Sequence, residues 1–155
     1  MTHSLQNAFL SVSVDEDGAQ LCSVIKDGEE YLGESEESDD PHERDLGKLI
    51  RGSLLELEHQ DDDSMTFFYR SGKDTGDITG SFIYRISYVL DGCTLSVFTQ
   101  VENTGDKLLE FYLDEHPGLQ SSIRHAIIED PEDYDEDAAV ESGEIFSQRW
   151  SVTIA

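Results

Sequence analysis

From Phe82 to Leu90 every second residue is large and apolar: Phe82, Tyr84, Ile86, Tyr88 and Leu90 fall on one side, while Arg85 and Ser87 interrupt the other. A spacing of two is the signature of a half-buried β-strand, because successive side chains leave the backbone on opposite faces. The same spacing recurs along most of the chain. Leu10, Val12 and Val14 alternate with Phe9, Ser11 and Ser13; Asp15-Glu-Asp-Gly18 then supplies a turn before Ala19 to Ile25, and Lys26-Asp-Gly-Glu turns the chain again. Leu55 and Leu57 lead over the polar loop Gln60 to Asp63 into Met65, Phe67 and Tyr69. Asp91-Gly92 joins the strand ending at Leu90 to a partner carrying Leu95, Val97, Thr99 and Val101, and Asn103 to Asp106 turns into Leu109, Phe111 and Leu113. Ile145 to Ile154 closes the chain with Phe146, Trp150, Val152 and Ile154 available for a core.

No stretch has the period of an amphipathic helix with caps, and no repeat of fixed length is visible. Many one-sided strands joined by short turns predict an all-β protein, an antiparallel β-sandwich that buries the two apolar faces against each other. A chain of 155 residues suits one domain, here residues 1–155. Two acidic stretches, around 34–45 and 129–144, carry too little apolar content to pack and are expected as exposed loops.

Asp and Glu number 35 against 10 Lys and Arg, a formal net charge of −25. A field of that sign repels phosphate backbones and anionic headgroups, so neither nucleic acid nor membrane is expected as a partner. Three explanations of the charge stay open: adaptation to a salty or crowded solvent, solubility alone, or a polyanionic surface that engages a basic protein. Cys22 and Cys93 show no C-x-x-C spacing and no Cys/His cluster, and two buried free thiols are expected. The first residues lack a basic region followed by a long apolar stretch, which predicts a soluble, cytoplasmic protein.

Several short segments, in order, resemble the aldose 1-epimerase family, whose fold is the galactose mutarotase-like β-sandwich. They are Leu10-Ser-Val-Ser-Val14 with Gly18-Ala-Gln-Leu21 and Gly28-Glu-Glu-Tyr-Leu32; Tyr88 to Val97 with Val101-Glu-Asn-Thr-Gly-Asp106; Asp114-Glu-His-Pro-Gly-Leu119, similar to a G-x-H-P-x-F motif; and Glu141 to Trp150. The family's earlier H-G-F-A-R motif corresponds to Gly47-Lys-Leu-Ile-Arg51, so Arg51 matches and Gly47 stands in the histidine's place. Family members are longer, and the stretches between Leu32 and Leu54 and between Leu119 and Ile127 are shortened here.

The resemblance implies a chemistry. Anomer interconversion needs a base for the proton of the anomeric hydroxyl and an acid for the ring oxygen. His116 corresponds to the family's acid. Glu129, in Ile127-Ile-Glu-Asp-Pro131, corresponds to the glutamate base. Arg51 becomes a substrate contact. The expected ligand is a small-molecule sugar, with no cofactor and no metal; oligomerisation is left open. Two alternatives accompany this reading: a non-catalytic, reduced or engineered scaffold or carbohydrate-binding module of the same fold, and an acidic interaction protein with a basic partner. His3, expected near a frayed terminus, His42, with Asp39, Asp40, Glu43 and Asp45 a loose cation site at best, and His59 beside Asp61 to Asp63 are weaker candidates for chemistry.

Overall fold

The computed structural model describes residues 1–35, 44–71, 78, 80–132, 134 and 137–154. In chain order the strands are β1 (Thr2–Gln6), β2 (Leu10–Asp15), β3 (Gln20–Lys26), β4 (Glu29–Glu30) and β5 (Leu32–Ser35), followed by a short helix α1 (Leu46–Arg51). Then come β6 (Glu56–Gln60), β7 (Ser64–Arg70), β8 (Phe82–Asp91), β9 (Thr94–Asn103), β10 (Leu109–Tyr112), β11 (Ser121–Ile123), β12 (Ala126–Glu129), β13 (Asp137–Val140) and β14 (Ile145–Ile154).

The alternation read from the sequence is the alternation seen. Phe82, Tyr84, Ile86, Tyr88 and Leu90 are all buried, as are Leu95, Val97, Thr99 and Val101 directly across the hairpin. β8 and β9 are the centre of an antiparallel sheet of six strands, ordered β12-β14-β9-β8-β7-β6. A second sheet, β1-β2-β3-β4, offers Leu5, Leu10, Val12, Val14, Leu21 and Val24 to the same core. The all-β antiparallel sandwich is thus the observed architecture, completed by the two-stranded pairs β10-β13 and β11-β5.

Where sequence and structure differ, the reasons are local. α1 has under two turns, too few for a helical period to register against the strand pattern. It is built by its caps: the Asp45 carboxylate accepts from the Lys48 N–H at 3.0 Å, and the Gly52 N–H closes the C-terminus on Lys48 and Ile50 carbonyls. Arg51 therefore ends a helix rather than beginning a strand. The first residues are not frayed: β1 pairs with β2 throughout, and His3 packs edge-on against Phe67 while its Nε2 bonds Glu16 at 3.1 Å. β13 lies inside the second acidic stretch and turns Ala138 and Val140 into the core. The first acidic stretch, His42 included, lies largely outside the described residues; of the acids grouped with His42, Asp45 is the helix cap. The cysteines are free as expected but not buried, since Cys22 is on the solvent face of β3 and Cys93 is half-buried in the β8-β9 turn.

One glycine ties the two sheets together at the place that matters below. Gly118 has φ +90°, its carbonyl accepts from Leu21 N–H of β3 at 2.9 Å, and an added Cβ would overlap the Tyr88 hydroxyl. That hydroxyl, fully buried, donates to the Ala19 carbonyl at 2.5 Å. Gly118→Ala combines backbone strain with displacement of a buried hydrogen bond, and is expected to lower unfolding free energy by about 3 kcal/mol or more in urea titration.

The His3 hydrogen bond is the first cause holding the Glu16 carboxyl below its ordinary value. A depressed carboxylate contributes stability that is complete above its unfolded-state value, about 4.3, and disappears as pH falls through the folded-state value. Amide exchange in β1 should therefore accelerate on acidification below that range, and His3→Ala should diminish the step, leaving the part that the N-terminal ammonium contributes.

Candidate functional site

The segment from Leu113 to Leu119 follows β10 and has no regular structure of its own, yet it is held at nearly every residue. The Trp150 indole N–H, buried in β14, donates to the Pro117 carbonyl at 3.0 Å. Two residues earlier on the same face, the Gln148 side-chain amide donates to the carbonyls of Asp114 and Glu115 at 3.1 and 3.4 Å. The Tyr134 hydroxyl bonds the Leu113 carbonyl at 2.7 Å, and the Leu119 N–H returns to His116. Backbone acceptors that a loop would ordinarily offer to water are thus taken within the protein, those of Asp114, Glu115 and Pro117 by side chains of β14.

Held this way, the loop presents two polar groups. One surrounds His116. Its ring lies 5.1 Å from the Trp150 ring, and its Nε2–H donates to Asp130 Oδ1 at 2.7 Å. Glu115 completes the group: one donor atom from each of Glu115, His116 and Asp130 lies within 4.8 Å of the others. By residue type this is also the described set best suited to a divalent cation. The Glu115 carboxylate has no hydrogen bond or ion pair among the described residues.

The other group lies in a small, partly open cleft with a cavity volume of about 20 Å³, lined by Gln20, Gly47, Arg51, Tyr84, Asp114 and Gln120 among others. Its centre is an ion pair between Arg51 Nη1 and Asp114 Oδ2 at 2.6 Å. The two partners meet because the chain is stitched just upstream of both: the Tyr112 N–H donates to the Arg44 carbonyl at 2.7 Å, and Asp45 bridges Tyr112 in parallel register. Tyr84 is buried below the pair. Burial raises its phenol well above the ordinary value, Thr99 and Arg51 pull it back and Asp114 adds to the rise, so it stays un-ionised at neutral pH. The Thr99 hydroxyl, buried beside it, has no hydrogen-bond partner of ordinary geometry among the described residues.

The structure thus brings His116 together with Asp130, and Arg51 together with Asp114, with the 114–118 backbone connecting the two groups. Glu129 is exposed at the end of β12, directly opposite Ser151 of β14. Cross-strand partners share a face, so Glu129 stands on the side of the sheet away from Trp150, and its neighbour Asp130 reaches the imidazole instead. Asp114, Glu115 and Asp130 were not singled out from sequence; Asp114 and Glu115 sit within the quoted Asp114 to Leu119 segment, and Asp130 within the quoted Ile127 to Pro131.

Trp150→Phe keeps most of the apolar packing but removes the donor to Pro117. The expected cost is about 1–3 kcal/mol in chemical denaturation, with the His116 ring resonances shifting in NMR spectra because their support has moved.

No family model and no curated protein matches the chain. Solved structures do. A galactose mutarotase-related enzyme from Lactobacillus acidophilus superposes with a TM-score of 0.74 at 12% identity, over 100% of this chain and 97% of that one. A galactose mutarotase-like protein from Lactobacillus casei gives 0.69 at 11% identity, over 99% of each chain. A C. elegans homologue of aldose epimerase gives 0.54 at 13% identity, over 83% of this chain and 55% of that one. No helix among the described residues is long and apolar enough to cross a membrane. Identities this low speak for architecture alone, and the architecture is unambiguous: the chain has the galactose mutarotase-like β-sandwich fold.

Proposed function

We propose that the protein is aldose 1-epimerase-like, binding a hexose and interconverting its anomers, with His116 as the acid. The observation that carries this reading is the seating of His116: the imidazole is backed by Trp150, oriented through Nε2 by Asp130 and flanked by the unengaged carboxylate of Glu115. An imidazole fixed through one nitrogen offers the other to a substrate.

In this mechanism a carboxylate takes the proton of the anomeric hydroxyl while protonated His116 gives one from Nδ1 to the ring oxygen. The bond between the anomeric carbon and the ring oxygen breaks, the aldehyde turns, and closure on its other face returns both protons. Asp130 accepts from Nε2–H throughout and stabilises the imidazolium before transfer. Glu115 is placed to be the base. Glu129, the base nominated from sequence, would have to act from the opposite side of β12. Arg51 serves as a hydroxyl-binding side chain in the adjoining cleft.

One observation favours the second reading, a carbohydrate-binding module without catalysis. His116 is not among the residues that line the cleft holding Arg51. A sugar seated by Arg51 would then be bound without being turned over.

Polarimetry on freshly dissolved α-D-galactose and α-D-glucose separates these. The catalytic reading expects equilibration faster than buffer, an acceleration of which about 10²-fold or more is lost in His116→Ala, as is typical for removal of a general acid. Glu115→Gln should be impaired comparably and Glu129→Gln little; the reverse order would return the base to Glu129. Buffer-like rates with sugar binding detected by saturation-transfer NMR would establish the module. Buffer-like rates without binding would overturn both.

A further inference from the structure

Two departures from the family's motifs, 67 positions apart by residue number (114 less 47), touch each other in the fold. Gly47 replaces the histidine of the H-G-F-A-R pattern, and Asp114 replaces the first glycine of the G-x-H-P-x-F pattern. A Cβ built on Gly47 would lie 2.5 Å from Asp114 Oδ2 and 3.1 Å from Arg51 Nη1. The carboxylate therefore fills the space into which any side chain at position 47 would grow. A side chain lost from the helix is matched by one gained from the loop, at the same point in the cleft and against the same arginine.

We propose that Asp114 takes the place of the missing side chain at position 47 as the cleft's hydroxyl-binding group, and positions a hexose jointly with Arg51. The inference rests on the sugar reading above and extends it to a residue outside the motif matches that carried it. Four observations support it. The pair is half-exposed, with 28% of the Arg51 side chain and 35% of Asp114 open to solvent, so both remain reachable. Each has spare capacity: Asp114 uses one oxygen on Arg51, and a guanidinium offers five N–H donors. Paired at 2.6 Å, they present donors and an acceptor side by side with no net charge, which suits hydroxyl groups and gives an anion nothing to hold. Beneath them the un-ionised Tyr84 phenol, one of the residues lining the cleft, supplies a polar floor. Asp114 acts here as a positioning residue, and the proton transfers stay with the His116 group.

An ion pair with a merely structural task, tying α1 to the loop, would leave ligand preference untouched, and the test is built on that difference. Affinities for D-galactose and D-galactose 6-phosphate are measured by NMR titration for the protein and for Asp114→Asn, which keeps the side chain's shape and frees the charge of Arg51. The expected result is galactose binding weakened about tenfold and the phosphate-to-galactose affinity ratio raised at least tenfold. In parallel, melting temperatures are compared for Gly47→His and Asp114→Gly, alone and combined. Gly47→His should destabilise strongly while Asp114 is present and much less once Asp114→Gly has opened the space.

Unchanged affinity and unchanged ratio in Asp114→Asn, with galactose still bound, would overturn the positioning role and leave the sugar reading standing. Equal destabilisation by Gly47→His in both backgrounds would overturn the shared space. A protein that binds neither sugar would overturn the sugar reading and this inference together.

Discussion

The structure depends on a buried donor with one available acceptor. Trp150 is enclosed in β14, and its indole N–H would lose a hydrogen bond on burial if the Pro117 carbonyl were not 3.0 Å away. Leaving such a group unsatisfied costs about as much as a large fraction of a small domain's net stability. The loop from Leu113 to Leu119 is therefore not free to choose its path. Gln148 repeats the arrangement two residues away on the same face, gripping Asp114 and Glu115. Because β14, paired on both sides by β12 and β9, sets these two anchors, the loop inherits the rigidity of the six-stranded sheet. The positions of His116 and Asp114 follow from that grip, one on each side of the anchored carbonyls.

The acidity of the chain is absorbed by the same alternation that makes the core. Among the described residues, carboxylates fall largely on outward strand positions and in turns, where water screens them, and four arginines pair with some of them: Arg44 with Glu110, Arg51 with Asp114, Arg85 with Glu58 and Glu102, Arg124 with Glu29. Exposed pairs of this kind contribute little to stability individually. Their value lies in placement. Arg51 is the cation among the residues lining the cleft, and its carboxylate partner comes from the loop that Gln148 and Trp150 fix.

Period two was legible because it is a local property. Phe82 to Leu90 and Leu95 to Val101 could be assigned to inner faces without knowing their partners, and the turn residues between them announced the hairpin. What escaped sequence reading was non-local or too short to carry a period. α1 is defined by Asp45 and Gly52 rather than by its apolar residues. β1 gains its order from pairing with β2, and His3 from Phe67 and Glu16, none of which the first six residues reveal. The site divides along the same line. His116 and Arg51 were nominated through motif resemblance, and in the fold both lie at the Leu113 to Leu119 loop, Arg51 through its ion pair with Asp114. The carboxylate bonded to the imidazole is Asp130, the residue after Glu129, and which of two neighbours faces the loop is set by the register of β12 against β14. Within an acidic run no local signal separates two neighbours.

Gly47 and Asp114 pack against one another and against Arg51 in a chain that shares only 11 to 13% identity with structural neighbours of the same fold. A side chain added at position 47 would come within 2.5 Å of Asp114 Oδ2, so the carboxylate would have to shift and loosen its hold on Arg51. Removing Asp114 would leave Arg51 half-buried and without its counter-charge in the cleft. The two residues are therefore coupled, although nothing in the intervening chain connects them except the fold. The fold does connect them, through the stitch between Arg44 and Tyr112 that brings the start of the helix and the end of β10 together. Substitutions in such a cleft are thus constrained in pairs across elements, because residues far apart in the sequence share one space in the fold.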